Sequence, residues 1–260
     1  MEENNRNLDT EIIDDISYDE GTFQEEEEIK FSENENKKNI AKEVYEWVSS
    51  LAAAVVLAFV INTFLFSLVQ VDGNSMVPTL HHEERLIVRK IAYTPKGNDI
   101  VIVKSEPLKK YIVKRVIATP SQEIGFDYEM NVTIDGKVIY EPYIEAKQAT
   151  SGYLYDYPVV VPKKGEIADI EVVLAEKSSM PETVKIEQKD GKIFIYGSSF
   201  VEDGEFKTGE TKYTQDGYFV LGDNRNNSAD SRAFGIVPRD EIIGEAVFRF
   251  YPFNVLGTIE

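Results

Sequence analysis

The 260-residue chain has no cysteine and only two histidines. Without cysteine there is no disulfide, no thiolate metal site and no cysteine nucleophile, and the redox compartment is left unmarked. With so little histidine, a Ser-His-Asp triad would have to use His81 or His82. These are neighbours in the charged stretch His-His-Glu-Glu-Arg and read as a surface pair. A metal site built on His81, His82 and Glu83 is a weaker reading still, so no metal and no cofactor is expected. Cations are also scarce: 28 Lys and Arg stand against 46 Asp and Glu, a net charge of −18. Phosphate binding needs a positive face, so nucleic acid is not an expected partner.

The acidic excess is uneven. Residues 1–40 hold 14 Asp and Glu against 4 Lys and Arg, a net of −10, which leaves −8 for the other 220 residues. That composition cannot bury enough apolar surface to offset its ordering entropy, so residues 1–43 read as a disordered tail. From Val48 to Val71 there are 24 residues without a charge. As a helix they would span about 36 Å, more than the ~30 Å of a bilayer core. Residues 44–71 are therefore expected to form one membrane-spanning helix. Its length and its position behind the tail argue against a cleavable signal peptide. Lys37, Lys38 and Lys42 precede it and the first cation after it is Arg85, which puts the N-terminus inside and residues 72–260 outside.

The remainder is strand-like. Runs rich in Val, Ile, Tyr and Phe occur at Arg85–Lys90, Asp99–Lys104, Lys110–Ile117, Val132–Ile139, Glu171–Ala175, Thr183–Gln188, Lys192–Tyr196, Tyr218–Leu221 and Glu245–Tyr251. Turn signals such as Asp135-Gly136 and Asp190-Gly191 separate them. The expected fold class is mainly β, an antiparallel domain of hairpins behind one helix.

Three stretches carry candidate chemistry. VDGNSMVPTL (71–80) sets Ser75 among turn residues directly after the uncharged run. A serine hydroxyl is a weak nucleophile and needs a base. A lysine serves if burial lowers its pKa from about 10.4 towards 7–8, a differential cost of roughly 4 kcal/mol. In Tyr111-Ile112-Val113-Lys114-Arg115-Val116-Ile117, strand alternation puts Ile112, Lys114 and Val116 on one face and Tyr111, Val113 and Arg115 on the other. The third stretch, GYFVLGDNRNNSADSRAFG (217–235), packs two acids, two arginines and several hydroxyl and amide groups into ten residues. A turn held by Asp–Arg pairs is the alternative reading, but these groups exceed what a turn requires, and such networks commonly orient a reactive group.

In this order, behind an uncharged span, these pieces resemble the type I signal peptidases, a family of Ser/Lys endopeptidases. GNSMVPTL resembles the family's nucleophile motif, NDIVIVKSEP its next strand motif, YIVKRVIATP its lysine motif and GYFVLGDNRNNSADSRAFGIV its most distinctive one. TIDGKVIYEPYI and FRFYPFNVLGTI look like family sequence as well. The resemblance implies Ser75 as nucleophile and Lys114 as general base, with Ser228 hydrogen-bonding the lysine amine. Asp223, Arg225, Asp230 and Arg232 would make the site rigid, with Arg115 a partner for one of the acids. Met76, Leu80 and Val113 would help line the substrate pocket. The oxyanion would take the Ser75 N–H; where some members carry a hydroxyl donor, this chain has Gly73. The implied substrates are exported preproteins with small residues before the cut. The implied location is the bacterial plasma membrane, the β domain's apolar surface meeting the lipid bilayer.

Two stretches depart from the family pattern. Ala118-Thr119-Pro120-Ser121-Gln122 replaces the usual Leu-Pro-Gly-Asp-like turn. Residues from about 146 to 215, including Tyr153, Tyr155 and Tyr157, match no motif and read as an inserted, β-rich accessory lobe. Three rival readings remain: a catalytically silent, membrane-anchored binding paralogue, a self-processing Ser/Lys switch protein, and a hydrolase of non-peptide esters. The intact Ser75, Lys114 and Ser228 argue against the first, and the lack of an N-terminal DNA-binding helix pair argues against the second.

Overall fold

In the computed structural model the described residues are 20–61, 65–91, 93–106, 108–145, 158–173, 183–188, 191–196, 200–202 and 207–259. They belong to two units, Met1–Phe59 and Val60–Glu260. Helix α1 (Glu20–Val60) lies in the first but for its last residue. Its stretch Lys38–Val60 is long and apolar enough to cross a membrane. Trp47, Leu51, Val55, Leu57 and Phe59 are all exposed along it. A helix apolar on every side has no polar face to offer water.

The bounds differ from the expected ones. Helix α1 begins at Glu20, inside the segment expected to be disordered, and residues 1–19 lie outside the described ones. It ends at Val60 rather than Val71, because Phe66–Gln70 of the uncharged run form a strand instead. Freedom from charge limits where a segment can lie. It does not distinguish helix from strand when Val, Phe and Leu suit both.

The second unit is antiparallel β. Its strands begin with β1 (Phe66–Gln70), β2 (Arg85–Arg89), β3 (Ile100–Ser105) and β4 (Lys110–Ala118). Next come β5 (Glu123–Phe126), β6 (Val132–Ile134), β7 (Lys137–Val138) and β8 (Val159–Val160). Then follow β9 (Ile167–Val173), β10 (Thr183–Gln188), β11 (Gly191–Tyr196) and β12 (Gly209–Lys212). The chain closes with β13 (Gly217–Leu221), helix α2 (Ser231–Phe234), β14 (Val237–Pro238), β15 (Ile242–Tyr251) and β16 (Gly257–Thr258). The main sheet runs β1-β2-β15-β3-β4-β13-β14, with β16 on β15. Two smaller sheets run β11-β10-β9-β12 and β7-β6-β5-β8.

The expected strands recur with shifted ends. Val132–Ile139 splits into the hairpin β6–β7 at Asp135-Gly136, whose φ angles of 50° and 73° suit a tight two-residue turn. Short β5, β8, β12, β14 and β16 had no expected counterpart, because two to four residues carry little periodicity. The unusual turn after β4 closes through Gln122, whose Oε1 accepts from the Thr119 N–H and hydroxyl, both at 2.8 Å.

Strand alternation on β4 divides the core. Val113 packs with Val71, Met76, Leu80, Leu86 and Ile102 beneath the Ser75 turn. Ile112 and Val116 pack on the other side with Tyr218, Val220 and Phe234. Further along, Ile117 and Phe219 share a third cluster with Val159, Val161, Phe200 and Tyr213. The described parts of 146–215 thus supply core residues to the strands that carry the site, besides forming the separate β9–β12 sheet. Tyr153, Tyr155 and Tyr157 lie outside the described residues.

Candidate active site

β1 and β2 form the hairpin that presents Ser75. After the β1–β2 ladder, Val71 still pairs with the returning strand, its N–H donating to Glu84 O (2.8 Å) and its carbonyl accepting from Glu83 N (2.9 Å). Gly73, at φ 92°, then turns the chain, and residues 74–80 coil tightly, with Leu80 N–H donating to Met76 O at 2.9 Å. Met76 and Leu80 anchor that coil in the core, leaving Ser75 partly exposed.

Lys114, on β4, lies across the cleft from it. Its Nζ is 2.8 Å from Ser75 Oγ and 2.8 Å from Val113 O. The side chain is 2% exposed, and among the described residues no carboxylate forms a salt bridge with it. Burial is the main cause that pushes its pKa down from 10.5 to about 8; Asp230 opposes this and Lys110 adds to it. A buried amine without an ion-pair partner is easier to keep neutral, and a neutral amine can take a proton from a hydroxyl.

The 222–232 loop is wired by buried ion pairs. Arg115 leaves the opposite face of β4 and grips Asp223 with two bonds, Nε–Oδ1 2.9 Å and Nη2–Oδ2 2.8 Å. The Tyr143 ring stacks 3.9 Å from the Arg115 guanidinium. Asp230 holds Arg232 at 2.8 Å through each carboxylate oxygen and also accepts the Gly222 N–H at 3.0 Å. Arg232 continues to Arg225 O at 2.8 Å, and Arg225 pairs with Glu141. Paired so closely, these charges keep the loop rigid with no bond to Ser75 or Lys114 of their own.

Several contacts carry that rigidity to Ser75, and the sequence reading had not singled them out. Asn224 donates its backbone N–H to Ser75 O (3.0 Å) and its Nδ2 to Asn74 O (3.1 Å). Thr79 donates its hydroxyl to Asp223 Oδ2 at 2.5 Å. Arg249 Nη1 donates to Thr79 O at 3.2 Å and to both oxygens of Glu84. Gly222 is required by space: a Cβ there would come 2.2 Å from Ser228 Oγ and 2.5 Å from Ser75 O. Thr79, Gly222 and Asn224 stood in the quoted motifs, and Glu141 and Arg249 in the segments TIDGKVIYEPYI and FRFYPFNVLGTI, but no partner was assigned to any of them.

Two expected roles need correction. Among the described residues Ser228 Oγ, buried beside Gly222, has no hydrogen-bond partner, so it makes no bond to the Lys114 amine, which instead donates to Val113 O. Leu80 is wholly buried in the core and is not among the residues that line the cleft. Met76 and Val113 do line it, in a cavity of about 260 Å³ with Val71 and Ile102 beside Ser75 and Lys114.

The family description "Signal peptidase, peptidase S26" matches residues 44–251. The chain is 33% identical over 229 residues to signal peptidase I T of Bacillus subtilis strain 168, covering 85% of this chain and 94% of that protein. Signal peptidase IB of Staphylococcus aureus strain COL is 29% identical over 217 residues, with 82% and 92% covered. A crystal structure of a signal peptidase I from Enterococcus faecalis V583 aligns at 21% identity with a TM-score of 0.31, covering 59% of this chain and 97% of that one.

Proposed function

Because the chain belongs to the signal peptidase S26 family, we propose that it removes signal peptides from exported preproteins by Ser75–Lys114 catalysis. The observation that carries this reading is the 2.8 Å contact between Ser75 Oγ and a buried Lys114 amine. Neutral Lys114 takes the Ser75 proton as Oγ attacks the scissile carbonyl. The Ser75 N–H donates to the oxyanion, and Gly73 adds no hydroxyl. The protonated amine passes its proton to the leaving nitrogen, giving an ester on Ser75. Lys114 then deprotonates a water that hydrolyses the ester and frees the enzyme. Asp223, Arg225, Asp230, Arg232 and Arg115 hold the loop that frames this pair.

The walls offered by Val71, Met76, Ile102 and Val113 are apolar, which suits small apolar side chains before the cut. Helix α1 anchors the chain in the bacterial plasma membrane, N-terminus inside, as the lysines at 37, 38 and 42 favour. Residues 72–260 are the extracytoplasmic domain. The silent-paralogue reading has no observation in its favour, since nucleophile and base are both present and in contact.

The test is cleavage of a purified preprotein with an Ala-x-Ala site by the full chain in detergent. Ser75→Ala and Lys114→Ala run alongside, with folding checked by circular dichroism. The expected result is a native cut at the signal junction and a loss of at least about 10³-fold in both variants. A folded native chain that cuts no preprotein, or a Lys114→Ala variant that retains activity, overturns the proposal.

A further inference from the structure

The strand that forms one wall of the cleft ends in an unusual way. From Phe66 to Gln70, β1 pairs with β2 in regular register, and Val71 extends the pairing through Glu83 and Glu84. The next inward-pointing donor is the Gly73 N–H. Glu83 has a left-handed φ of 69°, which bends the returning chain away after that point. A side chain takes the backbone's place: Gly73 N–H donates to His82 Nδ1 at 3.1 Å. Gly73 lines the cavity that holds Ser75 and Lys114 and stands two residues before the nucleophile.

We propose that His82 is a positioning residue for the nucleophile, its Nδ1 serving as the last rung of the β1–β2 ladder and holding the Gly73 turn. Only a ring with an unprotonated Nδ1 can accept this bond, so the proton sits on Nε2. Asp72 Oδ1 lies 3.6 Å from the same nitrogen, farther than the 3.1 Å of the Gly73 N–H bond, so Gly73 is the nearer partner of Nδ1. Gly73 has no Cβ to restrict it, and nothing lies within 4 Å of where one would be. The hydrogen bond therefore supplies a restraint that packing does not. Freed from it, the 72–74 backbone samples other φ values, and the Ser75 N–H and Oγ lose part of their alignment with substrate.

The inference rests on the Ser75–Lys114 reading, so its test has one arm that does not depend on cleavage. His82→Leu removes the acceptor, while His82→Asn keeps one, because Asn Oδ1 occupies nearly the place of His Nδ1. Full-length native and variant chains in detergent are compared by hydrogen exchange at the Gly73 amide and by preprotein cleavage. Exchange at Gly73 should rise about three- to ten-fold in His82→Leu, with kcat falling by a similar factor and KM changing less. His82→Asn should restore both to within about two-fold of native. Equal Gly73 exchange in native and Leu chains overturns the proposal, as does an Asn variant as impaired as Leu. If the native chain cuts no preprotein, the catalytic reading fails and the exchange arm still decides the role of His82.

Discussion

Lys114 and Arg115 are adjacent cations on opposite faces of β4, and both are almost wholly buried, at 2% and 1% exposure. Their surroundings differ in kind. Arg115 has a carboxylate gripped through two bonds, a backbone carbonyl at 2.9 Å and an aromatic ring across its face. Lys114 has a hydroxyl and a carbonyl. A buried charge with a matched partner stays charged and serves as a strut. A buried amine without one loses hydration that nothing replaces and moves towards neutrality. One strand thus separates the ion-paired framework of the site from its unpaired, buried amine by a single residue, through the alternation of side chains.

Four changes test that contrast, in falling order of expected effect. Lys114→Met should cut preprotein cleavage about 10³- to 10⁴-fold yet leave the fold no less stable. The native amine, at about 8 when folded and 10.5 when free, binds fewer protons folded than unfolded between those values. Native stability should therefore rise with pH across about 8 to 10.5, and that rise should vanish in Lys114→Met; urea melts at pH 7, 8.5 and 10 measure it. Asp223→Asn should do the reverse, leaving Arg115 buried without its anion at a cost of about 3–5 kcal/mol. A lowered melting temperature shows it, and an unchanged one would mean that the strut is dispensable. Gly222→Ala should cost less stability than that but lower kcat by about ten- to a hundred-fold, because its methyl must displace Ser228 or the Ser75 carbonyl. Kinetics on the folded variant decide it. The smallest change is made with pH alone: kcat/KM should climb about ten-fold per unit up to about 8 and then level as Lys114 loses its proton. A plateau reached by pH 6 would place the base elsewhere.

The site was more legible in the sequence than the chain's first third. Ser75 and Lys114 stood in motifs whose order resembled a family, and the alternation of Ile112, Lys114 and Val116 already set Lys114 and Arg115 on opposite faces. Helix α1 shows the opposite case: an uncharged run read as one span divides into helix to Val60 and strand from Phe66. Local composition marks a segment as apolar, and pairing with β2 decides that its end is extended. Ser228 shows the same limit within the site. Its motif put it near the lysine, yet which hydroxyl or carbonyl a buried amine contacts depends on ångström-scale packing around Gly222.

By itself the sequence determined the antiparallel β domain and the long apolar segment ahead of it, because periodicity is a local property, while Ser75 and Lys114 were marked by the resemblance of their motifs to a family. Only the tertiary structure decided that Lys114 reaches Ser75 across 39 positions of chain. It also decided that Arg115 has Asp223 for its anion, that Arg249 bridges Glu84 and Thr79, and that an imidazole ends the β1–β2 ladder. Each of these depends on which segments pack together, and the desolvation that lowers the Lys114 pKa exists only once they have.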